Sequence, residues 1–155
     1  MLLEEKCARL LLQKKKTLAI AESCTGGLLT HRLTNIPGSS NFLKVGLVVY
    51  SNESKIKILK ISPHSIKTHG AVSSNVALKM AEKARIFFST DFGISITGIA
   101  GPSGGSKRKP KGLTFIAIAT PLERLCLRCQ FAGTRIKIKL QAVNQALQLL
   151  KLFLD

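Results

Sequence analysis

The feature that most constrains this chain is an alternation. Five short runs rich in Val, Ile, Leu and Ala, at residues 17–21, 44–50, 92–97, 112–120 and 125–131, are set among segments with helical periodicity. The longest apolar stretches, such as residues 113–119, fall far short of the roughly 20 residues that a membrane-spanning helix needs. Runs of that length read as buried strands, and a chain of this pattern has to cover them with helices.

The helical segments are legible from spacing. Residues 2–15 place Leu3, Cys7, Leu10 and Leu11 near one face, and residues 136–153 carry Leu140, Val143, Leu147, Leu150 and Leu154 along one stripe. Between them, Ser23, Cys24 and Thr25 offer cap chemistry for a helix at 28–33. Residues 53–59 read as a short helix, and Ser62-Pro63 opens another that His69-Gly70 ends. Ser73 or Ser74 caps a helix over 75–88. Pro37-Gly38 marks a turn. Strands and helices alternate first, and two adjacent strands follow near Pro121. That order predicts one domain over residues 1–155, a three-layer α/β/α sandwich on a mixed, mostly parallel sheet. The glycine-rich loop at 98–111 is too long for a mere connection.

With 155 residues, of which 45% are hydrophobic, the chain can bury a real core. The start, MLLEEKCARLLLQKKK, lacks the order of a secretory signal, and a cytoplasmic protein is expected. Cys126 and Cys129 spell C-x-x-C, but in the alternating stretch LCLRCQF positions three apart face opposite ways, so no metal site is expected. Leu125, Leu127, Cys129 and Phe131 should share one face. The net charge is +16, from 24 Lys and Arg against 8 Asp and Glu. Such a field draws anions, either nucleic acid or a small phosphate-bearing substrate. The basic residues are scattered, and a chain with no Trp and one Tyr has poor stacking platforms for single strands. Nucleic acid is therefore the weaker reading.

Four places can carry chemistry. Ser23, in Glu22-Ser23-Cys24-Thr25-Gly26-Gly27, lies between a strand and a helix, where backbone N–H groups could steady an oxyanion and Gly26 and Gly27 allow close approach. From position alone, an N-cap role for Ser23 or Thr25 is the simpler reading. Lys55 follows Tyr50 just past a strand end, where it is a base if burial keeps it neutral and otherwise an ordinary surface lysine. Thr97, Gly98 and Gly101 open the long loop, which resembles a phosphate cradle in glycine content but matches neither a P-loop nor G-x-G-x-x-G. Arg135, just before the last helix, can fork onto a phosphate or simply lie exposed beside a capping turn.

These segments in this order, AESCTGG (21–27), PGSSNF (37–42), VVYSNESK (48–55), HGAVS (69–73), SITGIAGPSGG (95–105) and FAGTR (131–135), resemble the C-terminal domain of the CinA (competence/damage-inducible protein) family. The resemblance spans nearly the whole chain. It implies a metal-free, cofactor-free amidohydrolase that converts nicotinamide mononucleotide to nicotinate mononucleotide and ammonia in pyridine-nucleotide salvage. It also implies a homo-oligomer and, for a chain this short, the stand-alone form of the domain. By matching motif, Ser23 would be the nucleophile and Lys55 its base, with Tyr50 orienting them. Thr25, Gly26, Thr97, Gly98, Gly101 and Arg135 would contact substrate, Arg135 at the phosphate. The family often has acids where Thr134, Ser103, Lys107 and Arg108 stand, and a second arginine where Lys139 stands, so the rim here is more basic. Two alternatives stay open: an inert nucleotide-binding homologue, and a basic accessory protein of DNA uptake or repair.

Overall fold

A computed structural model describes residues 1–155. The strands are β1 (Leu18–Glu22), β2 (Leu43–Val48), β3 (Phe92–Gly98), β4 (Leu113–Ala119) and β5 (Arg124–Gln130), in sheet order β2-β1-β3-β4-β5. The β1–β2 and β1–β3 ladders are parallel, and the β3–β4 and β4–β5 ladders are antiparallel. Only β4 runs against the rest. The helices are α1 (Leu3–Gln13), α2 (Leu28–Thr34), α3 (Asn52–Leu59), α4 (Pro63–His69), α5 (Ser74–Phe87) and α6 (Arg135–Leu154).

Strand alternation builds two cores. Leu18, Ile20, Ile94, Ile96, Ile116 and Ile118 face α1, α2 and α6. Ala19, Ala21, Ala117 and Ala119 face α3, α4 and α5. Leu113 and Phe115 share this face, but the sheet residues Ala19, Ala21, Gly93, Ser95, Ala117 and Ala119 are small, which lets α5 lie close on the sheet. A Cβ at Gly93 would fall 2.0 Å from the Ala81 carbonyl oxygen, so only glycine fits there. The Ser95 hydroxyl donates to the Ala77 carbonyl at 2.6 Å across the same contact.

The sandwich expected from the alternation is the one observed, with three local differences. First, neither Ser23 nor Thr25 caps α2. Gly27, at φ +98°, precedes that helix without a side-chain cap. Instead the buried Glu22 carboxylate accepts from the N–H groups of Leu29 (2.9 Å) and Thr30 (3.0 Å), doing the work of a cap from the end of β1. Second, Leu140 is exposed at the start of α6, while Val143, Leu147, Leu150 and Leu154 are buried. Third, Leu125 is exposed at the sheet margin, and Leu127, Cys129 and Phe131 alone of its set meet the α1/α2/α6 core. Cys126 packs on the opposite face, as the period of two requires.

Topology concentrates one edge of the sheet. From β1 the chain crosses to β2 on one side, and from β2 it returns through α3, α4 and α5 to β3 on the other side. The carboxyl ends of β1 and β3 therefore meet at a switch point, the usual ligand crevice of open α/β sheets. β5 points the same way, so Arg135 at the start of α6 emerges at that edge too.

Candidate active site

Ser23 follows β1 directly. Its N–H donates to the Ile96 carbonyl at 2.9 Å, which fixes it to the end of β3. Behind it Gly26 and Gly27 take φ +61° and +98°, conformations that suit glycine, and turn the chain into α2. Lys55 sits in the first turn of α3, whose start is fixed by Ser51 accepting from the Ser54 N–H at 3.0 Å. Helical side chains lean toward the N-terminus. The Lys55 stem accordingly runs back over that turn, and its Nζ lies 2.8 Å from the Val49 carbonyl, 3.2 Å from the Tyr50 carbonyl and 2.9 Å from Ser23 Oγ.

Lys55 is 1% exposed, and no carboxylate lines the cavity it faces. With nothing of opposite charge to compensate, desolvation prevails and lowers its pKa from an ordinary lysine value to about 8. The neighbouring Cys24 thiol does not offset this near neutrality, because burial pushes it up to about 11 and leaves it uncharged. The hydrogen bonds suit both protonation states. As an ammonium, Lys55 gives one N–H to each of its three acceptors, and the Ser23 hydroxyl faces the Tyr50 carbonyl at 3.5 Å. As an amine, it keeps the two carbonyls and turns its lone pair to the Ser23 O–H. Loss of one proton from Lys55 thus converts Ser23 from acceptor to donor, the arrangement of an activated nucleophile.

The pair opens into a cavity of about 290 Å³. Tyr50, Asn52, Thr97, Gly98, Gly101 and Arg135 are among its lining residues. Thr97 is buried and donates to the Ala71 carbonyl at 2.9 Å, tying the α4–α5 connection to the end of β3. Arg135 bridges the mouth: Nη1 donates to the Gly101 carbonyl at 2.7 Å and Nη2 to the Tyr50 hydroxyl at 3.0 Å. Of the residues picked out in the sequence, Ser23, Lys55, Tyr50, Thr97, Gly98, Gly101 and Arg135 converge here.

Thr25 and Gly26 do not line the cavity. The Thr25 hydroxyl is buried and donates to Glu22 Oε1 at 2.7 Å, which makes it part of the scaffold under Ser23. Gly26 lies at the rim, where an added Cβ would stand 3.7 Å from Lys139 Nζ. The oxyanion donors are narrowed as well. The Ser23 N–H is taken by Ile96, and the Leu29 and Thr30 N–H groups by Glu22. The Cys24 N–H, on the cavity wall, donates to no other residue. Glu22, Asn52 and Val72 carry no site role in the sequence, where Cys24 reads only as helix-cap chemistry. Asn52 had a signal, standing three residues before Lys55 and so on the same side of α3.

The CinA C-terminal domain description matches residues 2–154. The chain belongs to the CinA C-terminal domain family. Curated relatives include CinA-like proteins from Syntrophus aciditrophicus, 48% identical over 98% of this chain, and from Acidobacterium capsulatum, 50% identical over 87% of it. The chain spans only about a third of their length, 36% and 33% respectively. Among solved structures, the competence/damage inducible protein CihA from Agrobacterium tumefaciens has a TM-score of 0.93 at 35% identity, covering 99% of this CinA domain and 96% of that chain. The competence or damage-inducible protein from Enterobacter asburiae has a TM-score of 0.94 at 33% identity, covering 99% and 96%. No helix of the CinA domain is long and apolar enough to cross a membrane.

Proposed function

We propose that this CinA domain hydrolyses the carboxamide of nicotinamide mononucleotide, giving nicotinate mononucleotide and ammonia. The observation that carries the reading is the Ser23–Lys55 pair, 2.9 Å apart in a cavity that no carboxylate lines and that Arg135 borders.

Neutral Lys55 takes the Ser23 proton as Oγ bonds to the carboxamide carbon. The electron-poor pyridinium ring makes that carbon a better acceptor. The Cys24 N–H, beside Ser23 on the cavity wall, is the donor for the oxyanion, and one such donor is typically worth about 3 kcal/mol. Lys55 then returns the proton to the departing nitrogen, the C–N bond breaks and ammonia leaves. Water, deprotonated by Lys55, cleaves the acyl ester and restores Ser23. Arg135 keeps N–H donors beyond those given to Gly101 and Tyr50, and these hold the nucleotide phosphate in this reading.

Incubation of the purified protein with nicotinamide mononucleotide should release ammonia and nicotinate mononucleotide in equal amounts. Binding of the nucleotide with no ammonia formed would leave a nucleotide-binding protein and overturn the hydrolysis.

A further inference from the structure

A second basin lies beside the first cavity, and Arg135 is common to both. It is open, about 600 Å³, and lined by Pro102, Lys111, Gly133, Thr134, Arg135 and Lys137. Three of these six residues are cationic and none is acidic. Neither Lys111 nor Lys137 has a carboxylate within ion-pairing distance.

The two lysines are held at the basin by their stems. Gly101 packs against Lys111 so closely that an added Cβ would lie 2.2 Å from Lys111 Cδ. The Gly101 carbonyl is also the acceptor of Arg135 Nη1, so Lys111 and Arg135 flank one residue. Across the basin the Lys137 stem lies against Gly133, 3.2 Å from where a Cβ would stand. Thr134 accepts the Lys137 N–H at 3.3 Å, and its hydroxyl proton remains to donate.

We infer that the basin is a second anion subsite, which takes the distal phosphoryl group of a nucleoside diphosphate whose proximal phosphate sits at Arg135. The inference rests on the phosphate position given above for Arg135. One phosphate saturates a single guanidinium face, whereas two further lysines lining the adjoining basin suit a second phosphoryl group joined to the first. Diphosphate nucleotides therefore bind in competition with the mononucleotide.

Inorganic phosphate and pyrophosphate serve as probes, titrated calorimetrically into the Ser23→Ala protein so that turnover plays no part. Pyrophosphate should bind more tightly than phosphate. The Lys111→Gln/Lys137→Gln double variant should reduce that preference by about tenfold, the loss of charge-assisted contacts to one phosphoryl group. Lys6→Gln/Lys14→Gln removes the same charge from exposed positions on and beside α1 and should leave the preference intact. Equal losses in both double variants would reduce the basin to part of the general positive field, and no preference in the parent would remove the subsite. Because no step needs catalysis, failure to release ammonia overturns the hydrolysis alone.

Discussion

Lys55 follows Ser23 by 32 residues in the chain, and its Nζ ends 2.9 Å from Ser23 Oγ. Two independent segments create that distance. The end of β1 holds the hydroxyl, and the first turn of α3 aims the amine back at it. The surroundings supply two carbonyl oxygens and no carboxylate, so the amine is solvated by dipoles and not by a counter-charge.

The rate should follow the uncharged form of Lys55. Its pKa of about 8 makes kcat/KM climb about tenfold per pH unit below that value and level off above it. Lys55→Arg, which stays charged, should be inactive throughout. A flat profile between pH 6 and 9 would show that Lys55 is not the base.

Lys55 should also leave a mark on stability. It titrates near 8 when folded and near 10.5 as an ordinary lysine. Between those values the unfolded chain holds the extra proton, so stability rises with pH across this window; the full cost applies below it and none above. Urea unfolding of the parent and of Lys55→Met should show a pH-dependent difference of about 3 kcal/mol between pH 7.5 and 10.5. Parallel stability curves would contradict burial of the charge.

Glu22 is a structural anchor. Its carboxylate takes four hydrogen bonds, from the Thr25 and Thr30 hydroxyls and the Leu29 and Thr30 N–H groups. Glu22→Ala leaves two buried donors, from Thr25 and Leu29, and two part-buried ones, from Thr30, unpaired and should cost on the order of 3–5 kcal/mol, read as a lower urea midpoint. Glu22→Gln keeps the volume but turns an NH2 toward donors, and should lie between the two.

Arg135 should act on binding more than on chemistry. Arg135→Ala is expected to raise KM for the mononucleotide by about ten- to a hundredfold with a smaller change in kcat, since a phosphate contact serves ground and transition states alike. Tyr50→Phe, which removes one partner of that guanidinium, should have a weaker effect of the same kind. A fall in kcat alone would place Arg135 at the reacting amide.

Much of this site is legible in the amino-acid sequence. Periodicity gave the strands, and their alternation with helices placed Ser23, Tyr50 and Thr97 near strand ends at one sheet edge. The motifs then linked Ser23 to Lys55 and Arg135. What stayed hidden depends on three-dimensional reach. Thr25 reads as a cap by its type and as a substrate contact by its motif, but the neighbouring Glu22 is longer and reaches the α2 donors first. Leu140 continues the apolar stripe of α6, yet at the start of that helix Ile138 is the residue turned inward and Leu140 is left exposed. The basin at Lys111 and Lys137 joins residues from two distant segments, and no local pattern announces it.

Ammonia release by the Ser23→Ala protein tests the central relationship most directly. With folding verified by its urea transition and nucleotide binding by calorimetry, this variant should retain affinity for nicotinamide mononucleotide and lose at least about a thousandfold in turnover. Turnover close to that of the parent would mean that another group attacks the amide and that the Ser23–Lys55 pair has no part in the reaction.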